Sequence, residues 1–198
     1  MSEPFRFMPA EEQARANFYA LLARLFYAPP DEGFLKTLAA ADELDAEDET
    51  LAARWRELIA AAAVTEAEAV RWEYDAAFVG AGKAPITLYA AAYSLRFSNE
   101  TPLAALRADL AAFGLARRAA AGEPEDHIAA LCDVMRYLIA AEERPIEEQQ
   151  RFFDRWIRPN YEPLCVAIEK SEQTSFYRIV ARMAKAFFSL EQAAFEML

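Results

Sequence analysis

Residues 122–140, GEPEDHIAALCDVMRYLIA, decide how the chain is read, because a helix-start signal, the single histidine and an unbroken apolar stripe all fall within them. Gly122 interrupts an alanine run. Pro124 has the fixed φ and missing N–H that suit a first helical position, and Glu125 and Asp126 put negative charge near the positive end of the helix dipole. The helix is therefore expected to begin at Pro124. Ile128, Leu131, Cys132, Met135, Leu138 and Ile139 share one face of a helix of about four to five turns, and that face is core. Asp126 and His127 come just before the stripe. The residues alone leave two readings open for this pair: a cap with local packing, or side chains that look into a cleft.

On either side, helix follows helix, since only 5 glycines occur and no stretch alternates with period two. After Pro9, an apolar face of Ala14, Phe18, Leu21, Leu22, Leu25 and Phe26 runs up to Ala28-Pro29-Pro30. Residues 31–50 carry eight acids and one lysine, which predicts a short helix and then a solvated connection. Leu51, Trp55, Leu58, Ile59 and Ala62 form the next stripe, and Thr65 with Glu68 has capping-box spacing, so a new helix is expected from about Glu66. In it Val70, Tyr74 and Ala77 lie along one side and Trp72, Ala76 and Val79 along another. More than half of its circumference is apolar, so this helix is central or lines a groove. Residues 80–85, GAGKAP, form a glycine-rich loop that lacks the GxxxxGK[ST] pattern of a phosphate loop and follows no buried strand.

Beyond the loop, Leu88, Ala91, Ala92 and Leu95 fall at helical spacing within ITLYAAAYSLRF, residues 86–97, and Thr101-Pro102 opens a helix bearing Leu103, Leu106, Leu110 and Phe113. Glu142-Glu143-Arg144-Pro145 breaks the pattern and is read as a hinge between a larger N-terminal and a smaller C-terminal part. Phe152, Phe153, Trp156 and Ile157 resume it, Pro159 and Pro163 punctuate it, and Phe176, Ile179, Val180, Met183, Phe187 and Leu190 line a final helix. No fixed-period repeat occurs. The expectation is an all-α, bundle-like single domain over residues 1–198, with about ten helices and a hinge near residues 141–147.

Composition narrows the function. At 198 residues, 55% of them hydrophobic and 13% aromatic, the chain has ample material for a core. A formal charge of −11 gives no electrostatic support to nucleic-acid binding and favours a basic or neutral partner. Cys132 and Cys165 lie within helical apolar patterns without a CxxC pairing, so neither a disulfide framework nor a zinc site is indicated. Residues 1–16 lack a basic region followed by an apolar run, and no segment approaches about 20 continuous apolar residues, so the reading is a cytoplasmic protein without membrane insertion. His127 is the only imidazole, and Cys132, five residues on, is turned well round the helix from it. Glu123 and His127 stand four apart across the helix start, and the repeated Glu-x-x-His pairs of a di-metal bundle are missing. Neither a catalytic site nor a metal site is therefore expected, and the residues by themselves point to an acidic helical protein that binds a partner.

A family resemblance sharpens that reading. Glu123-Pro124-Glu125-Asp126-His127 resembles the Glu-Pro-x-Asp-His motif of the TorD/DmsD/NarJ family of redox-enzyme maturation chaperones. Glu73-Tyr74 with Phe78-Val79-Gly80 and Pro85 resembles its Glu-Tyr-x-x-x-Phe-x-Gly segment, and residues 152–191, with Ser175-Phe176-Tyr177, resemble its C-terminal helices. The blocks stand in family order along nearly the whole chain. Two departures are Ala81, where a proline usually follows the glycine, and Pro85, left alone where paired prolines are usual. The resemblance implies a non-enzymatic cytoplasmic chaperone without a cofactor. Its partner would be the catalytic subunit of a molybdopterin oxidoreductase, bound through its twin-arginine signal peptide or as the apo subunit, before cofactor insertion and export. It places Asp126, His127, Glu123, Pro124, Trp72, Tyr74, Phe78, Gly80, Pro85 and Tyr89 at a peptide groove. It also allows weak guanine nucleotide binding and a monomer or domain-swapped dimer. The alternatives are a NarJ-like chaperone of a non-exported client without a leader, and a metal-dependent helical enzyme.

Overall fold

The structure, a computed structural model, describes residues 8–44, 48–80, 84–94, 102–117, 122–141 and 144–198. Among them are ten α-helical segments: α1 (Ala10–Tyr27), α2 (Glu32–Ala39), α3 (Glu49–Val64), α4 (Ala67–Tyr74), α5 (Ala91–Ser94), α6 (Pro102–Ala112), α7 (Ile128–Ala140), α8 (Ile146–Phe152), α9 (Arg158–Lys170) and α10 (Phe176–Glu196). A π turn, Asp75–Val79, extends α4, and a second, Phe153–Ile157, joins α8 to α9 in one rod. The all-α expectation holds. The proposed break at Glu142 and Glu143 lies outside the described residues.

Two central helices, α1 and α7, pack along each other although a hundred residues separate them, and α10 lies against α9 and α3. The stripe of Ile128, Leu131, Cys132, Met135, Leu138 and Ile139 is buried throughout, so α7 contributes one whole face to the core. From α10, Phe187 stacks on Phe18 at 5.1 Å and meets Tyr19 edge-on at 4.9 Å. One polar group is built into this contact. Arg15 of α1 donates to both carboxylate oxygens of the buried Glu191 at 2.7 and 2.9 Å, Tyr19 Oη donates to the same carboxylate at 2.9 Å, and Arg15 reaches Gln149 of α8 at 3.1 Å. Desolvating such a pair cancels much of its attraction, so its main effect is to fix how α1, α8 and α10 sit lengthwise.

The structure departs from expectation where tertiary bonds override local pattern. On α1, Ala16 is buried and Ala14 exposed, so the inward face is rotated from the expected one. The Thr65 hydroxyl donates back to Ala61 O at 2.6 Å, which ties it to the end of α3. The Thr65–Glu68 capping box does not form, and α4 begins after Glu66. Pro159 and Pro163 do not break the C-terminal rod. Pro159 sits in the first turn of α9 just after the π turn, where the change of hydrogen-bond register absorbs its missing N–H, and Asn160 Nδ2 donates to Trp156 O at 2.8 Å. Leu190, expected on the core face of α10, is 38% exposed.

Candidate functional site

The site is built around α4 and the turn that ends it. Glu73 points to the far end of the chain, where its carboxylate accepts the N–H of Phe176 at 3.0 Å and that of Tyr177 at 2.6 Å and so caps α10. The side chain of Ser175, the N-cap residue, makes no such bond. Tyr74 points the other way along the core: its hydroxyl lies 3.0 and 3.1 Å from the carbonyl oxygens of Phe26 and Tyr27, two acceptors that the end of α1 leaves without a helical partner. Tyr177 Oη donates to Leu25 O at 2.9 Å, and the rings of Tyr74, Phe78 and Tyr177 meet at 5.0 to 5.6 Å. The end of α1, the end of α4 and the start of α10 are thus locked together.

At the end of the π turn, Gly80 N–H donates to Asp75 O at 2.7 Å, and Gly80 has φ 64 and ψ 163, a conformation that a side chain disfavours. The chain returns so that Ile86 N–H bonds Ala77 O at 3.0 Å, and it then pairs with the motif of residues 123–127. Tyr89 and His127 form an isolated antiparallel bridge, with Ile128 N–H donating to Leu88 O and Ala90 N–H to Asp126 O, each at 2.9 Å. The Asp126 carboxylate also accepts Ala91 N–H at 3.1 Å, which starts α5. His127 caps α7: its Nδ1 accepts the Ala129 N–H at 3.2 Å, so in the neutral ring the proton is on Nε2. The Tyr89 hydroxyl donates to Glu123, and the Tyr89 and His127 rings meet edge-on at 5.3 Å.

This pairing corrects the expected helix start. Residues 124–127 form a turn, with His127 N–H reaching Pro124 O at 3.3 Å, and the helix begins at Ile128, because the backbone around Asp126 is engaged by residues 88–90. Likewise residues 86–90 are not helical, with Tyr89 in the isolated bridge and Ala90 in a turn, and within this segment only Ala91–Ser94 is helical; Leu95 lies outside the described residues.

The expected site residues fall into two groups. Asp126, His127, Tyr74 and Phe78 are buried, each at 8% exposure or less, and the first three carry the hydrogen bonds above. Trp72 is 70% exposed, Glu123 and Pro85 are exposed, and Tyr89, Pro124 and Gly80 are half-buried. The structure joins Glu123, Tyr89, Asp126 and His127 directly. It adds residues not singled out for the site from sequence: Val79 and Tyr27, 57% and 64% exposed, and the exposed Asp75. Nothing local in the sequence marks Tyr27, which ends a helix, as a surface aromatic. Its neighbourhood follows from Tyr74, whose hydroxyl contacts Tyr27 O and is pushed up to about 12 by burial, with Glu123 and Asp75 adding repulsion of the phenolate.

Burial likewise holds the His127 imidazole below the usual histidine range, opposed by Glu123 and Asp126. The Tyr89 phenol is pushed up to about 12 by desolvation and by its bond to Glu123. Glu125 is drawn below the usual carboxylate range by Arg107, which donates to both of its oxygens at 2.9 and 3.1 Å. Among the described residues no cluster of histidine, cysteine or carboxylate side chains could hold a metal ion, and no helix is long and apolar enough to cross a membrane. Chemically, the arrangement is a hydrogen-bonded scaffold that leaves the carboxylates of Asp75 and Glu123 and the apolar side chains of Trp72 and Val79 exposed.

A family model described as "Nitrate reductase delta subunit" matches residues 41–165, which include both halves of this site. The chain belongs to the nitrate reductase delta subunit family. Members of this family are chaperones of redox-enzyme maturation, not enzymes, and so is this chain. A search of the curated proteins finds no match. Among solved structures, one from Archaeoglobus fulgidus, described as a "Putative Redox Enzyme Maturation Protein", is similar over 96% of this chain and 99% of its own, at 19% identity and a TM-score of 0.54. That likeness shows a shared fold.

Proposed function

We propose that this chaperone binds the twin-arginine leader of a molybdopterin oxidoreductase catalytic subunit in the cytoplasm, and holds the apo subunit back from export until its cofactor is inserted. The observation that carries this reading is Trp72, 70% exposed on the helix that runs into the π turn, with the exposed Asp75 three residues on; Asp75 and Glu123 both act on the Tyr74 phenol. A leader of this class is basic and then apolar. Carboxylates suit guanidinium groups in a bidentate geometry, the net charge of −11 speeds encounter, and Trp72, Val79 and Tyr27 offer apolar area for the following segment. Asp126 and His127 act beneath this surface: they hold the 84–91 segment and the start of α7 in register, and with them the positions of Tyr89 and Glu123.

The test is titration of the leader peptide of the cognate catalytic subunit. Trp72→Ala removes an aromatic anchor and is expected to weaken binding by about 2 kcal/mol, roughly 30-fold, with unfolding unchanged. Replacing the twin arginines by alanine in the peptide should cost at least as much. Unchanged affinity in both experiments would overturn the proposal.

The description of the matched family favours a second reading, in which the client is a nitrate-reductase-type subunit that is not exported. Full-length client and client lacking its leader separate the two: equal binding of both assigns recognition to the mature subunit.

A further inference from the structure

On another face of the molecule, a groove of about 470 Å3 lies between the start of α3 and the outer face of α10, with Glu169 of α9 at its edge. Along α10 it is lined by Arg182, Lys185, Ala186, Ser189, Leu190 and Ala193, a span of about 16 Å or three helical turns. The floor is small and apolar. Ala186 and Ala193 leave room for a close approach, and between them Leu190, 38% exposed, is the large apolar side chain of this face that α10 does not bury.

The cations on its wall are incompletely engaged. Arg182 Nε lies 3.6 Å from Glu169 and Lys185 Nζ lies 3.4 Å from Glu162, and neither pair forms a hydrogen bond, in contrast to Arg54, which donates to Glu57 at 2.7 Å. Two carboxylates line the groove, Glu169 facing Arg182 and Asp48 accepting the N–H of Leu51 at 2.7 Å as the cap of α3, against three cations, Arg54, Arg182 and Lys185. In a chain with a charge of −11, this groove therefore presents two cations with unused donors beside an exposed leucine. A partner carboxylate could take those donors at little loss to the existing pairs, because partly exposed ion pairs are weak.

We infer that the α3–α10 groove is a docking surface for an acidic amphipathic helix of a partner protein, whose apolar residues would cover Leu190 and the two alanines while its carboxylates take hydrogen bonds from Arg182 and Lys185. The elongated shape and alanine floor suit a helix of about three turns. This site is separate from the leader surface and does not depend on how that surface is used.

The probe is a capped, fluorescein-labelled 14-residue helical peptide with leucines on one face and glutamates on its flanks; the control carries glutamine at every glutamate position, so that neither peptide is the basic ligand proposed for the leader surface. Anisotropy titration of the full chain at low salt is expected to show the acidic peptide binding at least tenfold tighter than the control. Arg182→Gln/Lys185→Gln should abolish that preference while leaving leader binding and the thermal midpoint as they are. An independent measurement uses the unaltered chain: a benzophenone on the leucine face of the peptide should cross-link to residues 186–193. No charge preference, a preference that survives the double substitution, or cross-links elsewhere would overturn the inference.

Discussion

Glu73 and Trp72 are sequence neighbours with opposite jobs, and replacing Glu73 tests the scaffold without touching the proposed surface. The Glu73 carboxylate accepts the N–H groups of Phe176 and Tyr177 at 3.0 and 2.6 Å, and both of those residues are buried, so water is a poor replacement for it. Glu73→Gln keeps the shape but leaves one oxygen acceptor for two donors and removes the charge at the positive end of α10. Losing one hydrogen bond to a charged acceptor costs about 1.5–3 kcal/mol, and the lost dipole interaction adds about 0.3–1 kcal/mol. The expected destabilisation is thus about 2–4 kcal/mol. For a chain of this size each kcal/mol lowers the melting temperature by about 2–4 °C, so a fall on the order of 10 °C is expected. Circular dichroism against temperature and urea measures it, and leader affinity taken well below the transition should stay near that of the unaltered protein. A midpoint within 2 °C of the unaltered protein, or a loss of affinity without a loss of stability, would refute the assignment of Glu73 as the cap of α10.

Gly80→Ala is expected to cost about 1–3 kcal/mol in urea unfolding, because φ 64 with ψ 163 strains any residue with a Cβ. Asp126→Ala removes the side-chain acceptor of Ala91 N–H, at about 0.5–2 kcal/mol, and hydrogen exchange should show faster opening at residue 91 while the circular dichroism of the helices is nearly unchanged. His127 is held below its ordinary value of 6.5 by burial, so between 6.5 and its lower folded value the unfolded chain binds more protons and stability rises with pH. Its contribution is complete above 6.5 and is lost as pH falls through that window; urea midpoints compared across it should show a flatter profile for His127→Gln.

The core stripes were legible because burial repeats with the period of the helix: every apolar position read on α7 is inside. Where that helix starts was not. Pro124, Glu125 and Asp126 carry a valid local start signal, but the backbone at residues 126 and 128 is claimed by Ala90 and Leu88, nearly forty residues earlier. Competition of that kind leaves no mark in a short window. Trp72 and Tyr74 pose the same problem at the site, since two aromatics two residues apart both fit an apolar helix, and only the neighbours decide that Tyr74 turns in to the carbonyls of α1 while Trp72 turns out. Both π turns were unreadable for a related reason: they depend on what the widened turn packs against. That the chain is not an enzyme, by contrast, was legible in the scarcity of catalytic side chains.

The bond from Glu73 to the N-terminus of α10 spans 103 residues along the chain, and that distance has a consequence for synthesis. When a ribosome has released α1 to α9, Glu73 still has no partner, and Tyr74 and Phe78 lack the ring of Tyr177 against which they pack. At about 5–20 residues per second the missing helix follows within seconds, but until it emerges α4 is held only by Tyr74 against the end of α1 and by the return of the chain at Ile86. A chain that loses its last two dozen residues to a premature stop therefore loses the support that α10 gives to α4, while every residue of the proposed surface is still present.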